Sequence, residues 1–228
     1  MKSASLKGIK IIITAGPTRE YIDPIRFISN PSSGKMGMAI AEEALARSAD
    51  VTIVYGKGTV KPPEAAKVID VETTEEMSEA VVRELKGRHY DILIAAAACA
   101  DYKPTRKEDE KIPSKQKGLV IRLEPTVKVI EEARKVDKNV FLCGFKAESG
   151  IPAEVLLART STRLKDVGAN LMVANDISNP DSGFMTDTNE VYIIDTENRV
   201  THVPTCTKRE VAAKILDTIT SKIHKKGY

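Results

Sequence analysis

The sequence predicts an α/β fold: a doubly wound, mostly parallel sheet covered by helices, with a β-hairpin appended near the C-terminus. Three observations carry this. Apolar, largely β-branched runs recur at residues 9–14, 51–55, 91–98, 139–144 and 170–174. They are apolar throughout rather than alternating, as strands buried on both faces of a sheet are. Between most of them lie amphipathic segments of ten or more residues, and strands alternating with such helices indicate parallel crossovers. Beyond residue 176 the alternation stops, and residues 190–195 and 199–203 flank the turn Thr196-Glu197-Asn198 as a hairpin.

Taken in order, the strand at 9–14 stops at the turn signal Ala15-Gly16-Pro17. A second signal, Pro31-Ser32-Ser33-Gly34-Lys35, stands directly before an Ala-rich helical run over 36–47. Ser32 or Ser33 is suited to cap that helix. A strand end, a glycine turn and a helix N-terminus together make a place for an anion, most often a phosphate. The connection exceeds the usual two to six residues of a βα loop. It carries Arg19, Arg26, Asn30 and Lys35. It is neither a Walker A loop, lacking a glycine five residues before Gly34, nor a dinucleotide fingerprint, lacking the glycine spacing after Gly16. A merely long loop is the competing reading.

Residues 51–55 and 67–71 form strands, and Thr73 or Thr74 with Glu76 caps a helix running through 85. The strand at 91–98 is followed by Cys99-Ala100-Asp101-Tyr102-Lys103-Pro104, at the edge where open α/β sheets bind ligands. Asp101 there suits a ribose hydroxyl, a base or a metal, or simply a turn cap. Residues 105–118 are almost wholly polar and charged apart from Ile112. They read as a solvated loop or as a lid that delivers a lysine to phosphate. A strand is expected over 118–123, and Pro125 is expected to open a helix over 126–136.

The strand at 139–144 carries Phe145-Lys146-Ala147-Glu148 at its ligand end, and a basic helix over 153–167 holds Arg159, Arg163 and Lys165. After the strand at 170–174 come Asn175 and Asp176, a turn-rich stretch over 178–183, the hairpin, and a last helix over 208–223 with a basic, frayed tail over 222–226. A hairpin edge of this kind is commonly covered by a partner subunit. One domain is expected over 1–228, with its parallel core at 9–176 and a dimerisation hairpin and last helix at 177–228.

Composition excludes several functions. Lys plus Arg is 35 and Asp plus Glu is 32, a balance that gives no case for nonspecific nucleic-acid binding. No apolar run reaches membrane-spanning length and residues 1–5 lack a signal-peptide core, so a cytoplasmic, membrane-free protein is expected. Cys99, Cys143 and Cys206 are far apart, which argues against zinc and disulfides, and the first two read as small core residues. His89, His202 and His224 fall away from the expected ligand edge, so a Ser-His-Asp triad lacks its base. No His-Glu-x-x-His and no acidic cluster for a two-metal site occurs. What remains is backbone N–H groups, hydroxyls, Lys and Arg around one sheet edge. Such a site binds polyanions and stabilises developing charge, and it suits a reaction whose nucleophile comes from a substrate.

A resemblance makes this specific. Thr14-Ala15-Gly16-Pro17-Thr18-Arg19-Glu20, then Arg26-Phe27-Ile28-Ser29-Asn30 and Ser32-Ser33-Gly34-Lys35-Met36-Gly37, resemble the opening signature of the phosphopantothenoylcysteine synthetases, or phosphopantothenate–cysteine ligases, of coenzyme A synthesis. The similarity continues through residues 95–104, 110–112, 144–148 and 173–177, and through Gly183-Phe184 to Asn189. It implies a Rossmann-like fold, a homodimer, and a stand-alone form without the decarboxylase that precedes this module in many bacteria. It also implies Mg²⁺ and a two-step reaction. The carboxylate of 4′-phosphopantothenate attacks a nucleoside triphosphate, CTP rather than ATP by the microbial likeness. An acyl-nucleotidylate and pyrophosphate result, and the amine of L-cysteine then displaces the nucleoside monophosphate.

By the same resemblance, Asn30 would hold the acyl intermediate, Arg26 would assist beside it, and Lys111 would act from the lid. Gly16, Ser33 and Gly34 would hold phosphates. Ala95, Ala96, Ala97, Asp101, Lys111, Glu124, Pro125, Thr126, Val127 and Phe145 would surround the nucleotide. Arg163 matches a family lysine, while Val167 falls where a second lysine is usual, leaving Lys165 as a substitute. The metal's ligands are not readable from the sequence. Two departures, Lys111-Ile112-Pro113-Ser114-Lys115 in the lid and Glu124-Pro125-Thr126-Val127 after it, bear on the nucleotide side. An NAD(P)-dependent oxidoreductase would need a glycine fingerprint and a Tyr-x-x-x-Lys pair, and neither is found. A noncatalytic nucleotide-binding protein would not need so dense a set of Arg19, Arg26, Asn30 and Lys111.

Overall fold

Seventeen elements follow one another in the computed structural model, which describes residues 4–115 and 117–226, residues 224–226 for backbone alone. In chain order they are β1 (Lys10–Ala15), β2 (Arg19–Tyr21), β3 (Phe27–Ser29), α1 (Lys35–Ala46), β4 (Asp50–Gly56), β5 (Lys67–Val71), α2 (Thr74–Gly87), β6 (Ile92–Ala95), β7 (Tyr102–Pro104), β8 (Leu123–Pro125), α3 (Val129–Val136), β9 (Phe141–Glu148), α4 (Ala153–Val167), β10 (Leu171–Asp176), β11 (Thr188–Asp195), β12 (Val200–Thr207) and α5 (Lys208–Lys226). Eight strands form one sheet in the order β12-β11-β10-β9-β6-β1-β4-β5. Pairings from β5 through to β10 are parallel, and β11 and β12 add antiparallel.

The chain leaves β1 first towards β4 and then returns to the other side through β6. The order therefore reverses between β1 and β6, the place where doubly wound sheets open a crevice. Alternation along β1 divides its side chains between two cores. Ile11 and Ile13 face α1 and α5 with Met38, Ile40, Val211 and Ile215, while Ile12 faces α2, α3 and α4 with Met77, Val81, Ala133 and Leu164. Thr73 and Glu76 close a reciprocal capping box at the start of α2.

Four local expectations are corrected. The strand expected over 91–98 ends at Ala95, because the chain peels off towards β7. The strand expected over 118–123 lies instead at β8, paired antiparallel with β7 in a small ribbon. Pro125 closes that strand opposite Tyr102 and does not open a helix. Thr126 is then tied to the strand end, its N–H donating to Asp101 O and its hydroxyl to Ala100 O, so α3 begins only at Val129. Finally, Gly34 and not a serine takes the cap position of α1, in the left-handed region (φ 85°). The Ser33 hydroxyl donates to Phe184 O, and Ser32 and Ser33 accept only long contacts of 3.4 Å from the Gly34 and Lys35 N–H groups. The long loop after β1 contains the β2–β3 hairpin.

His89 pairs with Asp91, and His202 on β12 pairs with Glu190 and stacks on Tyr192, all away from the crevice. The side chain of His224 and residues 1–3 lie outside the described residues. The backbone of the basic tail continues α5 to Lys226. Among the described residues no helix is long and apolar enough to cross a membrane.

Candidate active site

At the carboxyl ends of the strands around the switch point lies a cavity of about 550 Å³. Its walls come from the start of α1 (Gly34 to Gly37), the chain after β6 (Ala96 to Cys99), the end of β9 (Phe145 to Ala147) and the turn before β11 (Gly183, Phe184). A side cavity of about 120 Å³ lies beside it and shares Ala97, Cys99, Asp101, Lys128 and Phe145 with the larger one.

Asn30 lines the main cavity as β3 ends, and its Nδ2 donates to Cys99 O (2.8 Å) and Ala98 O (3.3 Å). Two carbonyl acceptors on one amide nitrogen hold the carboxamide in one orientation. Gly34, Ala96, Ala97, Asp101, Phe145 and Arg163 also line it, and Ala95, Thr126 and Val127 line the side cavity. The first N–H groups of α1 have no full side-chain cap, which leaves the positive end of the helix towards the cavity.

Other expected residues lie elsewhere. Arg26 does not line the cavity: its guanidinium binds Asp23 (3.2 Å) and Ile112 O (3.0 Å), tying the hairpin to the charged loop over 105–118. Burial of the Asp23 carboxyl opposes its ionisation, but N–H groups of Ile25, Arg26 and Ile112 outweigh this and hold it below the usual carboxylate range. Ile112 is thereby buried while its neighbour Lys111 stays exposed. Gly16 sits behind Gly34 rather than on the cavity wall, and Ser33 turns to Phe184. Glu124 and Pro125 are exposed on β8. Lys165 lines a separate groove with Ser161 and Asn198, because two residues along a helix from Arg163 is roughly half a turn away.

Several cavity residues carried no assigned role in the sequence. Lys128 bridges Asp101 (2.6 Å) where the two cavities meet, and nothing local marks it. Phe184 and Asn189 belong to a stretch whose resemblance was legible but whose position was not. Lys208, read only as a helix start, reaches the cavity from α5. The positive side chains are mostly paired: Lys146 with Glu148 (3.1 Å), Arg163 with Glu131 (2.6 Å) and Lys35 with Asp187 (2.7 Å).

The arrangement favours anion binding over nucleophilic attack. Cys99 is half-buried between the two cavities, and its desolvation, reinforced by Asp101 and Glu20, pushes the thiol up to about 12, so it stays protonated at neutral pH. Among the described residues no group of three His, Cys, Asp or Glu side chains is placed to hold a metal. Among the described residues, Asp101 is the acidic side chain on the cavity wall. A hard cation there would be held mainly by phosphate oxygens and water, as Mg²⁺ commonly is with nucleotides.

Known proteins share the sequence and fold of this chain. The family model described as the DNA/pantothenate metabolism flavoprotein C-terminal domain matches residues 6–223. The coenzyme A biosynthesis bifunctional protein CoaBC of Thermococcus kodakarensis is 45% identical over 215 residues, covering 94% of this chain and 52% of that protein. A cysteine/cysteine sulfinic acid decarboxylase from an unknown prokaryotic organism is 41% identical, covering 96% of this chain and 60% of its own length. The crystal structure of the C-terminal domain of a CoaBC protein superposes with a TM-score of 0.81 at 35% identity, covering 98% of this chain and 100% of that one. The chain thus spans little more than half the length of these curated relatives. With nearly its whole length matched in sequence and fold, the chain belongs to the DNA/pantothenate metabolism flavoprotein C-terminal domain family.

Proposed function

We propose that this chain is a phosphopantothenate–cysteine ligase of coenzyme A synthesis, joining 4′-phosphopantothenate to L-cysteine at the expense of CTP. The observation that carries the proposal is the cavity itself: a helix start without a full side-chain cap, Asn30 and several lysines meet at the switch point, with no activated thiol beside them. The names of the CoaBC relatives support the same pathway. Decarboxylation, which the other relative's name suggests, finds no support in this cavity's residues.

In the first step the pantothenate carboxylate attacks the α-phosphorus and pyrophosphate leaves. The backbone N–H groups at Gly34 and Lys35 would stabilise the phosphate charge, and Lys111 would close over the leaving group from the lid. Mg²⁺ would neutralise part of the triphosphate charge. In the second step the cysteine amine forms a C–N bond to the acyl carbon, the acyl–phosphate bond breaks, and cytidine monophosphate leaves with the bonding electrons. The amine proton passes to solvent. Asn30, already oriented by Ala98 and Cys99, would hold the acyl group for this attack. Arg26 would act indirectly, by anchoring the lid at Ile112.

The side cavity between Ala95, Val127 and Phe145 would take the base, with Asp101 and Lys128 at its mouth. A homodimer is part of the proposal. The outer strand β12 and the exposed apolar side chains Ile25, Phe27, Tyr102 and Leu123 each offer a surface for it. Incubation with phosphopantothenate, cysteine, Mg²⁺ and either CTP or ATP tests the reading. Pyrophosphate release that needs the acid but not cysteine is expected, faster with CTP. No release with either nucleotide sinks the proposal.

A further inference from the structure

The turn before β11 is held in an unusual way. Each carbonyl from Gly183 to Thr186 accepts a hydrogen bond from the start of α1 or the start of α5. Gly183 O and Thr186 O take Lys208 Nζ (2.7 and 2.5 Å), Phe184 O takes the Ser33 N–H and hydroxyl, and Met185 O takes Lys35 Nζ (3.0 Å). The backbone N–H of Lys208 also donates to Asp187 O (2.9 Å). Lys208 is only 5% exposed, yet it lines the cavity beside Gly34 and Lys35. Burying an ammonium is costly unless donors and acceptors are matched, and an apolar side chain would anchor a turn more cheaply.

We infer that Lys208 is a positioning residue for the ligase reaction: it clamps turn 183–187 onto the start of α1 and so holds the anion-binding end of the cavity in shape. The inference rests on the ligase reading for its consequence, but the clamp is measurable without it. Two ions face Lys208, the Lys35 ammonium from α1 and the Asp187 carboxylate from the turn. Burial, then Lys35, brings its pKa down to about 8, with Asp187 opposing. A neutral Lys208 donates less well to its carbonyls, so the clamp loosens as pH rises through that value. A bound polyanion favours the charged form and is in turn held less tightly when the charge is lost.

The test measures CTP binding by calorimetry between pH 7 and pH 9.5, without acid or cysteine, together with hydrogen exchange of residues 183–188. Wild type is expected to bind CTP more weakly as pH rises. Lys208→Met is expected to bind about tenfold more weakly at pH 7, with little further pH dependence. Exchange at 183–188 should rise in that variant while the central sheet stays protected. Lys208→Arg, charged throughout, should bind near the wild-type level at pH 7 with the alkaline loss removed. A Lys208→Met variant within twofold of wild type in CTP affinity, with unchanged exchange at the turn, overturns the inference. Should that variant fail to fold, a Lys208→Arg variant that keeps the wild-type alkaline loss does the same. Failure of the ligase reading would show separately, as wild-type protein that releases no pyrophosphate.

Discussion

Replacing Gly16 by alanine strikes the crossing that places the start of α1. Gly16 has φ +80°, and an added Cβ would lie 1.8 Å from Gly56 O, 2.8 Å from Gly56 C and 3.1 Å from Tyr55 Cε2. Ordinary contact is about 3.5 Å, so main chain must move by roughly 1.5 Å, and no flexible side-chain end can yield instead. The left-handed backbone costs a non-glycine residue about 1 kcal/mol, and forced overpacking adds about 1–3 kcal/mol. A loss of about 2–4 kcal/mol follows, which lowers the urea midpoint by roughly 1 M for a typical denaturant slope. Gly34 lies directly against Gly16, its own Cβ position 3.3 Å from Gly16 Cα, so the displacement reaches the helix start and CTP binding should weaken with stability. Gly87, at the end of α2, is the control: nothing lies within 4 Å of an added Cβ and its φ is ordinary. Gly87→Ala should stabilise by about 0.4–1 kcal/mol. A Gly16→Ala midpoint equal to wild type would mean that Gly56 O does not restrict this position.

Three other outcomes are expected. Asn30→Asp should slow amide formation more than pyrophosphate release, because it places a negative charge where the proposed reaction holds the acyl group; single-turnover assays of each step decide this, and unimpaired amide formation removes the role. Lys111→Ala should reduce pyrophosphate release about a hundredfold while leaving the urea midpoint unchanged, since its side chain is exposed. Asp195 is buried, which opposes its ionisation, but Lys222 (2.6 Å) and Arg199 (2.9 Å) hold its carboxyl far below the usual range. Its folded pKa is depressed, so its contribution is full above the unfolded value near 3.9 and is lost progressively as pH falls from there towards the much lower folded value. Asp195→Asn should therefore cost roughly 1–2 kcal/mol at pH 7, with the gap to wild type narrowing steadily as pH drops below about 4, read from denaturation across that range.

The repeating apolar runs, the capping box at Thr73 and Glu76 and the hairpin across 196–198 were determined by the sequence itself, because each depends on residues within a turn or two of one another. The likeness of residues 14–37 to a ligase signature was equally legible, and with it Asn30 and Gly34 at the helix start. Tertiary structure decided where longer side chains end. Arg26 could reach the cavity or the charged loop over 105–118, and Asp23 with Ile112 O drew it to the loop. Ser33 was expected at the cap, but its hydroxyl donates to Phe184 O, 151 residues away in sequence, and it accepts from its own helix only at 3.4 Å while Gly34 takes the cap position. Pro125 could open a helix, but β7 was there to pair with it. Lys165 and Arg163 differ by two positions and so face opposite sides of α4. Lys208 reached the cavity only because α5 packs beside α1. Local periodicity sets the elements. Which donor meets which acceptor is set by the packing of elements far apart in the chain.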